Sequence, residues 1–386
     1  MAIISVIAYH AGFPGFSGGF VGVDIFFVIS GFLITSLLFN EAAATGSLNL
    51  GAFYARRVRR LMPAGFVVVA VTLVLGAIFL PPASNEQSSL ARTAIAFAYF
   101  GSNFYFFKKT GGYFDEPSFG MPLLHTWSLA VEEQYYLIWP MIMLLVFHFS
   151  GAQHAEGFMR RRSLWVLGVM FAASLALSVG TTRDHQSFAF FLLPTRIWEF
   201  AIGGMVGLAG SAFYVRLRRW AEVLAVGGMA LIVYSVVVLD HSTPFPGWAA
   251  IFPVLGSALL IAGMTADEDG FVRRMLALKP GLGAGPEPEL EKEPSGPGRP
   301  PIVYGPWSWD AAYLARGLAA MGGVIVALVI AERCWSVLGA DDPGFASARL
   351  AAVVRLGVAI GLVVLVARGA VRAWRELRAG DPTRME

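Results

Sequence analysis

Apolar runs of about 20 residues recur along most of the chain, and they constrain its fold more than any other feature. A helix of that length crosses the hydrocarbon core of a bilayer while pairing its own backbone polar groups. The predicted spans are 20–40, 62–80, 127–149, 163–180, 188–210, 221–239, 248–264, 311–338 and 349–369. The sequence therefore predicts an all-α, polytopic integral membrane protein with roughly 10 transmembrane helices.

The composition leaves no material for a separate soluble enzyme domain. Of 386 residues, 56% are hydrophobic and 14% are charged, against about 25% charged in an average soluble domain. The net charge of +3 fits basic cytoplasmic loops better than nucleic-acid binding. A single cysteine and six scattered histidines give no metal-ligand spacing, so no metal site is predicted.

The positions of the basic clusters predict the membrane topology. They lie at Arg56–Arg60, Arg160–Arg162, Arg216–Arg219, Arg273–Lys279 and Arg368–Arg378. All of them are cytoplasmic if both ends of the segment 81–126 lie on the outer side of the membrane. The aromatic segment 90–107 then cannot be a simple crossing, and we expect a re-entrant or interfacial element there.

The chain divides into three predicted regions. Residues 1–280 form a transmembrane domain whose first helix begins before or near Met1. Residues 281–306 are rich in Gly, Pro and Glu, which predicts a disordered cytoplasmic linker. Residues 307–386 add two further transmembrane helices and a basic tail.

Two ionisable residues occur in the segment YHAGFPGFSGGFVGVDIFFVISG. His10 lies at the outer end of the first helix, and its imidazole suits proton transfer near neutral pH. The alternative is an interfacial histidine that hydrogen-bonds to the backbone. Asp24 lies inside an apolar span, where a carboxylate is costly without a partner. It could orient an imidazole or pair with an arginine of another helix.

The segment FYARRVRRLMPA contains Arg56, Arg57, Arg59 and Arg60. Attraction to anionic lipids would explain such a cluster. However, Arg56/Arg59 and Arg57/Arg60 each place two guanidinium groups on one helical face. Guanidinium geometry favours bidentate phosphate recognition, so a phosphate-rich donor such as acyl-CoA could dock here.

The segment PLLHTWSLAVEEQYYLIWP, residues 122–140, carries the densest set of polar groups inside an apolar stretch. His125 and Trp127 stand near the start of a predicted helix, for which Ser128 is a candidate N-cap. Glu132 and its neighbour Glu133 lie deep enough to require a partner or a water-filled cavity. Further along, Arg196 and Glu199 could pair with each other or with these groups.

Taken in order, YHAG, GGFVGVDIFFVISGFLIT, FYARRVRRLMPA and HTWSLAVEEQYYLIWP resemble the membrane acyltransferase-3 family. Its members are bacterial O-acyltransferases of lipopolysaccharide, peptidoglycan, exopolysaccharides and some antibiotics. The resemblance covers about residues 1–280, and PTRIWEFAIGG also fits.

The resemblance implies transfer of an acyl group, usually acetyl, from cytoplasmic acyl-CoA at the inner membrane. The acceptor would be a hydroxyl of a lipid-linked or cell-surface glycan. By the family pattern, His10 would be the essential histidine, as base or covalent carrier, and the Arg-x-x-Arg would contact the donor. Glu132 would be the membrane-embedded carboxylate of the WSLxVE motif, and Asp24 a further catalytic candidate.

Two features depart from the family pattern. The family has an arginine shortly before this histidine, at a position that would precede Met1. After residue 280 it continues into a helix, where this chain has the Gly/Pro/Glu segment. Two alternatives therefore stay open: a truncated or frameshifted member with impaired catalysis, and a lipid or glycan transporter. A transporter would show paired, broken half-helices in two similar halves, which are not visible here.

Overall fold

A computed structural model describes residues 2–80, 85–111, 113–114, 121–148 and 156–267, together with Gly270, Val272 and Leu276. Within these ranges all regular structure is helical and no strand occurs, which confirms the all-α prediction for this part of the chain. The linker 281–306, the spans 311–338 and 349–369, and the basic tail lie outside the described residues.

Twelve α-helices occur among the described residues. In chain order they are α1 (Ala2–His10), α2 (Gly22–Thr45), α3 (Leu50–Phe79), α4 (Asn85–Ala98), α5 (Ser102–Lys109), α6 (Thr126–His148), α7 (Glu156–Thr182), α8 (Gln186–Phe191), α9 (Ile197–Leu208), α10 (Ser211–Leu217), α11 (Ala221–Val238) and α12 (Ile251–Ala266).

Among the described residues, five helices are long and apolar enough to cross a bilayer. They are Gly19–Thr45, Leu50–Phe79, Thr126–His148, Glu156–Thr182 and Ser211–Val238, two of which include a short 3₁₀ turn. α9 and α12 are apolar but shorter. The chain is therefore a membrane protein by composition and helix length, while the total of roughly 10 spans is not confirmed.

The predicted span 188–210 is wrong as a single helix. It is divided into α8 and α9 by a 3₁₀ turn at Leu193–Thr195, which contains Pro194. Proline lacks an N–H and disfavours a helical conformation at the residue before it. The Thr195 hydroxyl lies 2.8 Å from the Ala189 carbonyl and 2.7 Å from the Leu192 carbonyl, so it can pair with groups that the break leaves free.

The aromatic segment 90–107 also consists of two helices, α4 and α5, separated by residues 99–101. Phe100 adopts a positive φ of 52° in this connection. α4 packs against α3, whereas α5 packs against α6 and α8. The Asn103 amide fixes α5 by donating to the Phe191 carbonyl at 3.2 Å.

α2 and α9 form the central helix pair of the bundle. Gly31 and Gly203 allow this approach, because a Cβ at Gly31 would collide with the Phe200 backbone and a Cβ at Gly203 with the Val28 carbonyl. Phe27 stacks on Phe200 with ring centroids 4.5 Å apart, and Tyr135 of α6 stacks on Phe200 at 4.2 Å. This aromatic layer is the core that holds the cavity walls.

Basic side chains of two helices lie near the C-terminal part of α2, at one end of the bundle. Arg56 at the start of α3 lies 3.9 Å from Glu41 near the end of α2, and Arg160 of α7 stacks over Phe39 of α2. The opposite end contains the turn after α1, where Ser17 donates to the Val237 carbonyl at the end of α11. That the basic end faces the cytoplasm stays a prediction of the positive-inside rule.

Candidate active site

A cavity of about 230 Å³ lies between α2, α3 and α6. It exists because α3 packs mainly against α4 and stands away from α2 and α6. Most of its wall is apolar and comes from α2 and α3. Its polar lining residues are Ser30, Arg57, Arg60, His125, Thr126, Ser128, Glu132 and Tyr136.

The four arginines of α3 separate into two faces. Arg57 and Arg60 line the cavity, as one of the two predicted Arg-x-x-Arg pairs requires. Arg56 and Arg59 are exposed; Arg59 donates to the Ala55 carbonyl of its own helix at 3.2 Å. Only one pair therefore has direct access to a ligand in the cavity.

Arg57 is the centre of a network of ion pairs and hydrogen bonds in the cavity wall. Its Nε donates to Glu133 Oε1 at 3.0 Å, its Nη2 lies 3.7 Å from Glu132 Oε1, and its guanidinium lies over the Tyr136 ring at 3.1 Å. Glu132 Oε1 also accepts from Ser30 Oγ and Tyr136 OH, each at 2.5 Å. Glu132 is thus part of the arginine end of the cavity, about 10 Å along α6 from His125.

Arg60 differs from Arg57 in its pairing. Its Nε is buried and has no hydrogen-bond partner among the described residues. A buried guanidinium N–H without a partner is costly in a low-dielectric site, and an anionic ligand would satisfy it. The arginine end can therefore accept phosphate.

His125, Thr126 and Ser128 form the opposite end of the cavity. α6 begins at Thr126, so the N-cap predicted at Ser128 is wrong: Ser128 lies in the first turn and donates to the His125 carbonyl at 3.1 Å. Burial of the ring, together with the electrostatic influence of His10, lowers the pKa of His125 to about 4. This imidazole is therefore neutral at pH 7.

His10 lies one helical turn beyond Val6, which lines the cavity. His10 Nδ1 is 2.8 Å from the Val6 carbonyl oxygen. Because a carbonyl can only accept, Nδ1 carries the proton in this contact. Nε2 lies 3.5 Å from the hydroxyl of Tyr113, in the connection before α6. With the proton on Nδ1, Nε2 is the atom of the His10 ring that could accept a hydrogen bond or a proton.

Tyr113 is held rigidly in that position. Its ring is buried and stacks on Phe190 with centroids 4.5 Å apart and an interplanar angle of 19°. Burial raises the pKa of the Tyr113 hydroxyl, so it stays a neutral phenol that can donate towards His10. His10 and Tyr113 together form a polar pair outside the cavity lining, one helical turn beyond Val6.

A family model for an acyltransferase domain, acyltransferase-3, matches residues 1–278, which include every cavity residue described above. The chain belongs to the acyltransferase-3 family. This membership confirms the resemblance found in the sequence, and it identifies the chain as an acyltransferase by family. No solved structure matches it.

Two relatives show how far the similarity extends. The peptidoglycan O-acetyltransferase OatA of Listeria monocytogenes is 44% identical over 145 residues, which cover 38% of this chain and 23% of the relative. The O-acetyltransferase OatA of Staphylococcus aureus is 29% identical over 288 residues, covering 72% of this chain and 46% of the relative. The chain thus spans less than half the length of these relatives.

A second charged cluster of this acyltransferase-3 chain lies in the aromatic core. Arg196 Nη1 is 2.6 Å from Asp24 Oδ1 and 2.6 Å from Glu199 Oε1, and all three side chains are at most 1% exposed. Of the alternatives that the sequence left open, Asp24 thus pairs with an arginine of another helix, and Arg196 pairs with Glu199 as well as with Asp24. Arg196 also lies over the ring of Trp127, which is a buried core residue and does not line the cavity.

Sequence reasoning missed Tyr113, Ser30 and Tyr136. Tyr136 stands four residues after Glu132, so helical spacing alone could have paired them. Ser30 is a polar residue in an otherwise apolar stretch of α2, which is a weaker signal. Tyr113 lies in a Gly-rich connection without periodicity, and only the folded chain brings it to His10.

Proposed function

We propose that the chain is an inner-membrane O-acetyltransferase that moves an acetyl group from acetyl-CoA to a hydroxyl of a cell-surface or lipid-linked glycan. One observation carries the proposal: a cavity in the membrane domain has two arginines at one end and His125 at the other, and its lining residue Val6 lies one helical turn before His10. The similarity to O-acetyltransferases supports O-acetylation, with peptidoglycan as one candidate acceptor.

The arginine end suits the donor. Arg57 and Arg60 would hold phosphate groups of the CoA moiety, and Arg60 Nε offers an unpaired donor for them. The apolar walls between the two ends suit the uncharged arm that carries the thioester. The positive-inside rule favours a cytoplasmic position for this end, where acyl-CoA is present.

The histidine end suits the chemistry. As the acceptor hydroxyl oxygen attacks the thioester carbonyl, His10 Nε2 would take its proton, so that the developing alkoxide is not released free. The carbon–sulfur bond then breaks, and the proton passes to the departing thiolate, which restores neutral His10. The Tyr113 hydroxyl lies 3.5 Å from the same Nε2 and would help to orient the acceptor hydroxyl.

The test uses the full chain purified into lipid nanodiscs with labelled acetyl-CoA and peptidoglycan fragments. We expect acetylated glycan and free CoA, and we expect His10→Ala to lower the rate by about 10²–10⁴-fold, the usual contribution of a general base. Absence of His10-dependent CoA release would reject the proposal for this chain and favour an impaired family member.

Arg60→Gln and Arg59→Gln form a matched pair for the donor site. Both remove one positive charge from the same helix, but only Arg60 lines the cavity. We expect Arg60→Gln to raise the KM for acetyl-CoA about tenfold and Arg59→Gln to leave it nearly unchanged. Equal effects would instead indicate a general attraction between the arginine cluster and anionic lipids.

A further inference from the structure

Phe97 is the residue of α4 that enters the cavity wall. Its ring is 5% exposed and belongs to a small apolar cluster with Val69 of α3 and Leu123 before α6. Val68 and Leu129 pack against this cluster and also line the cavity. The Phe97 ring is therefore a fixed part of the wall.

The position of Phe97 along the cavity follows from its contact with α3. A Cβ built on Gly65 would lie 2.7 Å from Phe97 Cζ, so the ring occupies the space that the glycine leaves open. Gly65 stands about 8 Å along α3 from Arg60, in the direction away from the arginine end. Leu123, next to the ring, is two residues before His125. Phe97 thus bounds the histidine half of the cavity.

We propose that Phe97 sets the size of the acyl group that the enzyme transfers. This inference rests on the proposed function, in which the thioester lies towards His125 and the CoA phosphates lie at Arg57 and Arg60. The acyl chain beyond the thioester then meets a wall of Val68, Val69, Leu129 and the Phe97 ring. All of these groups are apolar, so they accept an acyl chain by its volume and not by hydrogen bonding.

Among the described apolar residues of the wall, Phe97 is the only aromatic residue supplied from outside the three helices that frame the cavity. Replacing it with a small side chain would leave space at the histidine end, because surrounding structure fills such a space only in part. A longer acyl chain could then enter the space that the ring now fills. An apolar pocket discriminates by about 10–200-fold for a difference of one methylene, so the effect should be measurable.

The experiment measures CoA release by the full chain in nanodiscs from acetyl-, butyryl- and hexanoyl-CoA. We expect the wild type to prefer acetyl-CoA and Phe97→Ala to raise the hexanoyl-to-acetyl ratio of kcat/KM by at least about tenfold. Phe97→Leu, which keeps most of the apolar packing, should shift the ratio in the same direction by less. The Phe97→Leu variant therefore keeps the test decisive if Phe97→Ala does not fold.

Leu90→Ala is the matched control. Leu90 lies on the same helix and in the same cluster, is also 5% exposed, and packs against Gly76 away from the cavity. It should weaken the contact between α3 and α4 without changing acyl preference. An unchanged ratio in both Phe97 variants, or an equal shift in Leu90→Ala, would overturn the inference while the proposed function stands. A wild type that releases no CoA from any thioester would overturn both.

Discussion

Two clusters in this molecule have the same composition, one arginine between two carboxylates, but opposite surroundings. Arg196, Asp24 and Glu199 are 0–1% exposed and lie inside the aromatic core. Arg57, Glu132 and Glu133 are 12–18% exposed, and Arg57 and Glu132 line the cavity. We call them the sealed cluster and the open cluster. Their difference separates charges that hold the fold from charges that are accessible to a ligand.

The sealed cluster leaves no room for a ligand. Arg196 uses Nη1 for both carboxylates and Nε for the Phe190 carbonyl at 3.1 Å, and aromatic rings surround its guanidinium. It joins α2 to α9 where the glycines bring these helices together. In the open cluster Arg57 faces the cavity beside Arg60, whose Nε has no partner in the described part of the chain.

The largest expected contrast is between Arg196→Met and Arg57→Met. Removing one partner from a buried ion pair costs about 3–5 kcal/mol, because the remaining charges stay in a medium of low dielectric. We expect Arg196→Met to abolish the folded peak in fluorescence-detected gel filtration, or to lower its thermal midpoint strongly. Arg57→Met should stay folded, since Glu132 lines the cavity and Glu133 keeps 12% of its side chain exposed, so that water can reach both. It should lose affinity for acetyl-CoA.

Wild-type protein heated in the same detergent supplies the reference midpoint for both variants. The distinction between the clusters fails if Arg57→Met unfolds as readily as Arg196→Met. It also fails if Arg196→Met keeps the wild-type midpoint.

A second contrast concerns the charge balance of the sealed cluster. One arginine compensates one carboxylate, while Asp24 Oδ2 and Glu199 Oε2 are both buried without a partner among the described residues. A single proton shared by the two carboxyl groups would neutralise the cluster and satisfy both oxygens. Asp24→Asn and Glu199→Gln each supply that neutral group, so we expect either variant to fold with a thermal midpoint close to that of the wild type.

The double variant Asp24→Asn with Glu199→Gln removes both negative charges and leaves Arg196 uncompensated. It should lose several kcal/mol of stability, far more than the two single changes together. Thermal midpoints of the four proteins form a double-mutant cycle. Additive midpoint shifts would show that the two carboxyl groups do not share one charge.

The charged residues of both clusters could be identified from the sequence. Which of them lie in the sealed cluster and which in the open cluster could not. Helical spacing correctly placed Arg57 with Arg60 on one face, and Arg196 within reach of Glu199. It could not show that Asp24 and Arg196, 172 residues apart, meet inside the core. That contact depends on glycine-mediated approach of two helices, which periodicity does not encode. The break at Pro194 and the position of Tyr113 were missed for related reasons, since both depend on tertiary partners of irregular backbone.

The smallest expected effect concerns Ser30, which donates to Glu132 in the open cluster at 2.5 Å. A hydrogen bond to a charged group contributes about 1.5–3 kcal/mol, but Tyr136 OH still donates to the same oxygen in Ser30→Ala. We therefore expect a loss near the lower end of that range, about tenfold in kcat/KM for acetyl-CoA, with an unchanged thermal midpoint.

Ser36→Ala is the control on the same helix: Ser36 does not line the cavity, and its hydroxyl lies 3.5 Å from the Gly207 carbonyl. A lower thermal midpoint in Ser30→Ala with kcat/KM preserved would give the open cluster the structural role that we assign to the sealed one.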